Sequence, residues 1–222
     1  MNIEDQGMKL ANEVQNYIEN YFELDEIKRI SFIGHSLGGL IIRAAMAYLE
    51  QLKDKFYTYM SLSSPHLGYL YSPKFLVSAG LWVLKKWKKS ESLKELSMSD
   101  SLNLEDSYLY RLSEISKLEW FKNIILVSSF QDSYVAFESA RIQFRKEQGS
   151  GKPSSAKNEL YEKMARNLLG NVPLNVVYRL DVNFKIQEKN LDSFIGRAAH
   201  IRFLENQPLM RMIVSRYAEF FA

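Results

Sequence analysis

One short stretch constrains this chain more than any other. Ile30-Ser31-Phe32-Ile33 is an apolar run that leads into Gly34-His35-Ser36-Leu37-Gly38, and a second apolar run, Leu40-Ile41-Ile42, follows Gly39. Apolar run, tight glycine turn and apolar run spell strand, turn and helix, with the turn matching G-x-S-x-G. A serine on so sharp a turn takes a strained backbone conformation, and glycines beside it keep neighbouring atoms from colliding with it. Its hydroxyl then stands clear of the sheet, next to N–H groups at a helix start that can receive an oxyanion. The competing reading is a structural strand-turn-helix that happens to carry serine.

The rest of the chain supplies the sheet and helices such a turn needs. A helix is expected from Glu4 to Phe22, with Leu10, Ala11, Val14, Tyr17, Ile18, Tyr21 and Phe22 at helical spacing. The opening strand spans Lys28 to Gly34, and the helix after Ser36 runs to Leu52, with Arg43 the only charge up to Leu49. Strands follow at Phe56–Leu62, Asn123–Ser129 and Leu174–Phe184, and helices at Tyr108–Ile115, Asn158–Leu169 and Gln207–Phe221. Strand, helix, strand at this spacing is a parallel crossover. The fold class is therefore α/β, with four mostly parallel strands flanked by helices in one domain over 1–222. Residues 72–116 carry no strand pattern and read as a cap or lid inserted into it. Residues 146–157, rich in Gly, Ser, Lys and Pro, read as a mobile loop.

Composition narrows the function classes. With 46% hydrophobic and 25% charged residues, 222 residues can bury one good core. Net charge is +3, from Lys+Arg 29 against Asp+Glu 26, too balanced to imply nucleic acid. The absence of cysteine excludes disulfides, thiolate metal sites and a cysteine nucleophile. The polar start Met1-Asn2-Ile3-Glu4-Asp5 is unlike a signal peptide, which together with the lack of cysteine favours an intracellular address. No uncharged run is apolar enough to span a membrane. Lys85, Lys86, Lys88 and Lys89 around Trp82 and Trp87 read either as an interfacial contact through 75–89 or as a solvated helix face.

A serine needs a general base, and the base an acid that fixes its tautomer. Three histidines are available. His35 lies inside the turn, with its side chain expected to point away from Ser36 and, like His66, to form part of the site wall. His66 follows the second strand and competes for the base role, but after Pro65 it fits the wall of a site better. His200 lies in a loop after the fourth strand. Among acids Asp132 comes directly after the third strand, while Glu138 and Asp192 do not follow a strand directly; Gln131-Asp132-Ser133 is also ordinary turn chemistry. The order Ser36, Asp132, His200 is that of α/β-hydrolases, with reactive groups at strand carboxyl ends. No cofactor and no metal are needed.

These residues also carry a resemblance. Ile33-Gly34-His35-Ser36-Leu37-Gly38-Gly39, Ser64-Pro65-His66-Leu67-Gly68, Gly80-Leu81-Trp82, Gln131-Asp132-Ser133-Tyr134-Val135, Ser139-Ala140-Arg141-Ile142 and Ile195-Gly196-Arg197-Ala198-Ala199-His200-Ile201 together resemble the lipase-like putative serine esterase domain. That domain belongs to the α/β-hydrolase superfamily and forms the C-terminal part of some long eukaryotic proteins. The resemblance covers about Ile30 to Phe221. It implies Ser36 as nucleophile, Asp132 as acid, His200 as base and an ester or lipid-like substrate. It also implies further strands ahead of the serine turn and a second oxyanion donor among them. In this chain only the Leu37 N–H is expected as donor, and the strand before Ser36 is expected to be an open edge, a pairing hazard. A protein partner or an N-terminal segment is therefore expected beside Ile30–Ile33. The alternative to a serine hydrolase is a non-catalytic interaction subunit that keeps the fold.

Overall fold

The computed structural model describes residues 1–69, 90–143, 156–185 and 192–221. Four parallel strands, β1 (Ile30–His35), β2 (Phe56–Leu62), β3 (Asn123–Ser128) and β4 (Val177–Asp181), pair in the order β1-β2-β3-β4. Every neighbour in the sheet is therefore the next strand in sequence, and helical segments supply the crossovers. Side chains alternate across a strand, so each strand feeds two cores. Tyr59, Ile124 and Leu126 face one core with helices α1 (Ile3–Tyr21) and α2 (Leu37–Met46). Met60, Leu62, Ile125 and Val127 face the other, where Ala199, Phe203, Leu209 and Ile213 meet them. These come from α7 (Asp192–Glu205) and α8 (Gln207–Tyr217). Among the described residues, four further helices, α3 (Glu91–Leu96), α4 (Tyr108–Glu114), α5 (Phe137–Arg141) and α6 (Ala156–Leu169), lie between β2 and β4 in the chain.

β3 is buried along its whole length and β2 nearly so, as expected of parallel strands covered on both faces. β1 differs. It has a neighbour on one side only among the described residues, and Ile33 is 59% exposed. On its covered face β1 is tied in by aromatic contacts, with the Phe32 ring 5.9 Å from Phe56 and 6.3 Å from Phe121. α1 lies against α2 so closely that a Cβ on Gly7 would sit 2.5 Å from the Ala44 Cβ. Asn2 caps α1, its side chain accepting the Asp5 N–H at 2.6 Å.

Several element boundaries depart from the sequence reading. α2 stops at Met46 instead of reaching Leu52, because Tyr48 and Leu49 donate three residues back, to Ala45 and Met46. The chain tightens there into a 3-10 segment, Glu50–Lys55, which still buries Leu52. The fourth strand is only Val177–Asp181, preceded by a 3-10 turn at Leu174–Val176. His200 was expected in a loop and lies instead within α7, a correction with consequences for how it is held. Of the expected insertion 72–116, residues 90–116 are described, and Leu96, Met98, Leu109 and Leu112 belong to the main core. The Lys and Trp run at 75–89 and most of 146–157 lie outside the described residues.

Glu95 makes this packing sensitive to pH. It is 7% exposed and accepts the Ile3 N–H at 2.7 Å, joining α3 to the start of α1. Burial pushes its carboxyl up to about 7, opposed by the Ile3 bond and assisted by Asp100, Glu4 and Glu91. A carboxyl raised in the folded state contributes stability below its ordinary pKa and loses it as pH rises through about 7. Glu95→Gln keeps a neutral partner at all pH values. Urea unfolding at pH 5 and pH 8 should show this variant gaining on the wild type at the higher pH; a constant difference between them would sink the assignment.

Candidate active site

The site is built at the carboxyl ends of β1, β2 and β3. At the end of β1 the ladder continues one residue further, with Ser36 N–H donating to Leu62 O at 3.0 Å. Ser36 then turns to φ 54°, ψ −122°, a conformation that L-residues rarely adopt, before α2 begins at Leu37. Gly34 makes the turn possible. A Cβ there would lie 2.6 Å from Gly39 N and 2.7 Å from Gly38 C. Gly38, the other glycine of the motif, has no atom within 4 Å of where its Cβ would be. The crowding is thus one-sided, and the sequence argument for both flanking glycines holds for Gly34 alone. Leu37 opens α2, so its N–H is among those that an α-helix leaves without an intrahelical acceptor.

The Ser36 hydroxyl is 3.0 Å from His200 Nε2, and His200 Nδ1 is 2.6 Å from Asp132 Oδ2. Asp132 is 8% exposed and lies in the turn after β3, with its N–H bonded to Ser129 O at 3.3 Å. Its Oδ1 accepts the N–H groups of Tyr134, at 2.8 Å, and Val135, at 3.2 Å. Its Oδ2 also accepts the Ser63 hydroxyl. Facing a carboxylate, His200 Nδ1 must carry the proton, which leaves Nε2 as the acceptor for the Ser36 O–H. Such a chain can take a proton from a hydroxyl and stabilise the imidazolium that results.

His35 is closer to this group than the sequence reading placed it. Its ring centroid is 4.8 Å from that of His200, and its Nε2 donates to the His200 carbonyl at 3.0 Å. Burial first, and then the His200 ring, lower its pKa, so His35 stays neutral beside the imidazole. Tyr134 adds a second ring, 5.4 Å from His200. The segment just after β4 is tied to the Asp132 turn through Gln131, which donates to Phe184 O at 2.9 Å and accepts the Phe184 N–H at 2.6 Å.

The structure does not bring His66 to Ser36. It is fully buried, with Nε2 at 3.0 Å from Ser61 Oγ and Nδ1 at 3.4 Å from Arg43 Nη1. Arginine only donates, so His66 is the Nε2–H tautomer, and burial together with Arg43 holds its pKa well below the usual value. Arg43 is itself 0% exposed and is lowered to about 10 by burial; it also bonds Ser116 Oγ at 3.0 Å and His66 O at 3.2 Å. This is a buried polar network beneath the sheet. A fully buried histidine cannot form the wall of an open cleft, which corrects the wall role expected for it. Among the described residues no His, Asp and Glu cluster could hold a metal, and no helix is long and apolar enough to cross a membrane.

Comparison with known proteins now adds a family. The pattern that defines the putative serine esterases (DUF676) matches residues 1–145, more than half of the chain. The chain belongs to that family. The matched range holds Ser36 and Asp132 and ends before His200. Among curated relatives, this esterase-family chain is 31% identical to Putative lipase YDL109C of Saccharomyces cerevisiae over 153 residues, 63% of the chain and 23% of the yeast protein. It is 26% identical to Putative lipase ROG1 of the same yeast over 155 residues, 63% of the chain and 22% of that protein. The matched part is under a quarter of the length of either relative.

The two motif glycines of this esterase-family chain should respond differently to a methyl group. Gly34→Ala drives a Cβ into the backbone of Gly38 and Gly39 and should cost about 1–3 kcal/mol or more, since backbone cannot swing aside. Gly38→Ala meets open space and should leave the urea midpoint within about 0.5 kcal/mol of the wild type. Equal losses at the two positions would contradict this one-sided crowding.

Proposed function

We propose that this protein is a serine hydrolase acting on carboxylic esters, with Ser36 as nucleophile, His200 as general base and acid, and Asp132 orienting His200. The observation that supports it best is the unbroken hydrogen-bond chain from Ser36 Oγ through His200 to Asp132, built on a strained serine turn. In this reading His200 Nε2 takes the hydroxyl proton as Ser36 Oγ attacks the ester carbonyl. The developing oxyanion faces the Leu37 N–H at the start of α2. His200 then returns the proton to the departing alkoxide, leaving an acyl-serine that water releases by the same two proton transfers in reverse order. The names of the yeast relatives favour lipid-like esters within this class.

A fluorophosphonate probe tests the reading, since it phosphonylates only an activated serine. The wild type should label, Ser36→Ala should not, and His200→Ala and Asp132→Asn should slow labelling by about 10⁴-fold or more. Label that persists in Ser36→Ala, or a wild type that never labels, would rule the hydrolase out.

The edge of β1 favours a second component, an added strand supplied from outside residues 1–222. Apolar parallel strands are normally paired on both sides. Here a groove of about 540 Å³ runs along β1, lined by Val14, Tyr17, Ile18, Phe22, Ile27 and Ile30 among others. A strand laid in it would pair with β1 and cover these side chains, whether the assembly is an active hydrolase or an interaction subunit. In the isolated chain the β1 amides should therefore exchange much faster than those of β2 and β3, and the chain should self-associate. Sedimentation as a single monomer with slow exchange at Ile30–Ile33 would remove this idea.

A further inference from the structure

Ser63 sits one residue beyond β2, in the place that corresponds to Ser36 beyond β1. Its N–H extends the ladder to Val127 O at 2.8 Å, and its φ is 47°, as left-handed as that of Ser36. Nothing in this backbone asks for a hydroxyl. The N–H bond could come from any residue but proline, and the left-handed φ favours glycine over serine. Ser63 is 1% exposed, so the hydroxyl is also not there to meet water. Its hydrogen bond goes to Asp132 Oδ2, the oxygen that also receives His200 Nδ1.

We propose that Ser63 is a positioning residue for the Ser36 reaction, its hydroxyl holding Asp132 Oδ2 in line with His200 Nδ1. The proposal rests on the hydrolase reading above. The Asp132 carboxylate has two oxygens to fix. Backbone N–H groups of Tyr134 and Val135 hold Oδ1, and both come from the same turn as Asp132 itself. They move with the turn and give no reference to the rest of the sheet. Ser63 gives that reference, because it belongs to the adjacent strand end, next to the strand that carries Ser36. Through one hydroxyl the acid is registered against the strand ends that hold both the nucleophile and itself. A neutral donor does this without adding a cation that would compete with the imidazolium for Asp132.

Ser63→Gly is the deciding variant, since glycine fits the left-handed backbone and takes away the small CH2OH side chain with its hydroxyl. It should still fold cooperatively, with relief of the left-handed strain offsetting part of the lost hydrogen bond. Its kcat for p-nitrophenyl butyrate should fall about 10- to 100-fold with KM within about twofold, as expected when an orienting contact is lost. A second measurement needs no turnover: the downfield proton NMR resonance of His200 Nδ1–H, assigned by its loss in His200→Gln. In Ser63→Gly this resonance should move upfield and broaden. An unchanged resonance overturns the proposal, even if kcat falls. An unchanged kcat in an active enzyme overturns it as well. If the wild type neither turns over ester nor labels with fluorophosphonate, the hydrolase reading fails instead, and the resonance alone decides whether Ser63 positions Asp132.

Discussion

The hydrogen-bond ladder at the carboxyl end of the sheet does not stop where the strands stop. Ser36 N–H reaches Leu62 O, Ser63 N–H reaches Val127 O and Val182 N–H reaches Ser128 O, at 3.0, 2.8 and 2.7 Å. Each donor is one residue beyond its strand, so β1, β2 and β4 release their chains at one common level. Everything else at the site depends on that level. Two of the three release points are serines turned to positive φ, which aims each side chain instead of letting it continue the pleat. Parallel pairing makes this arrangement available, since every strand carboxyl end lies on the same rim. Strand order equal to sequence order then places the serine turn, Ser63 and the Asp132 turn side by side.

The strained turn is held by close packing against its own helix. Gly34 lies so near Gly38 and Gly39 that the last turn of β1 and the first turn of α2 are effectively one solid object. The α1–α2 contact at Gly7 and Ala44 then fixes α2 against the outer layer. Strain at a single serine costs on the order of 1–3 kcal/mol, which a buried core of this size can absorb. The core is on hand because β2 and β3 are covered on both faces, leaving only β1 and β4 at the margins.

Much of this was legible in the residues. G-x-S-x-G after an apolar run identifies a turn because few other solutions satisfy two glycines, a serine and a helix start at that spacing. The apolar runs of β2 and β3 gave their strand bounds to within a residue, since buried parallel strands are continuous apolar stretches. The segment around His200 was not legible in the same way. Asp192–Glu205 has no one-sided apolar stripe, and Gly196 reads as a break, so periodicity gives no helix there. Ser63 was equally silent. Ser63-Ser64-Pro65 is ordinary turn chemistry in sequence, and only the register of β2 on β3 brings that hydroxyl to Asp132.

His66 and His35 show why a strand-end histidine cannot be assigned from position alone. Side chains alternate across the sheet, and Ser61 and Tyr59 of β2 face the layer of α1 and α2. His66 turns back beneath that same face and is captured by Ser61 and by Arg43 from α2, far from the helices that carry His200. His35 belongs to β1 and faces the other layer, where its ring meets His200 and Phe203. The two histidines are thus divided by the sheet, and with them two electrostatic environments. Beneath it, burial first and then the Arg43 guanidinium hold the His66 pKa well below its ordinary value. Above it, His200 has a neutral imidazole on one neighbour and a four-donor carboxylate on another, so charge formed on its ring is answered by Asp132 alone. Of the three histidines only His200 faces a carboxylate through one ring nitrogen and a serine hydroxyl through the other, the pairing that the proposed base role requires.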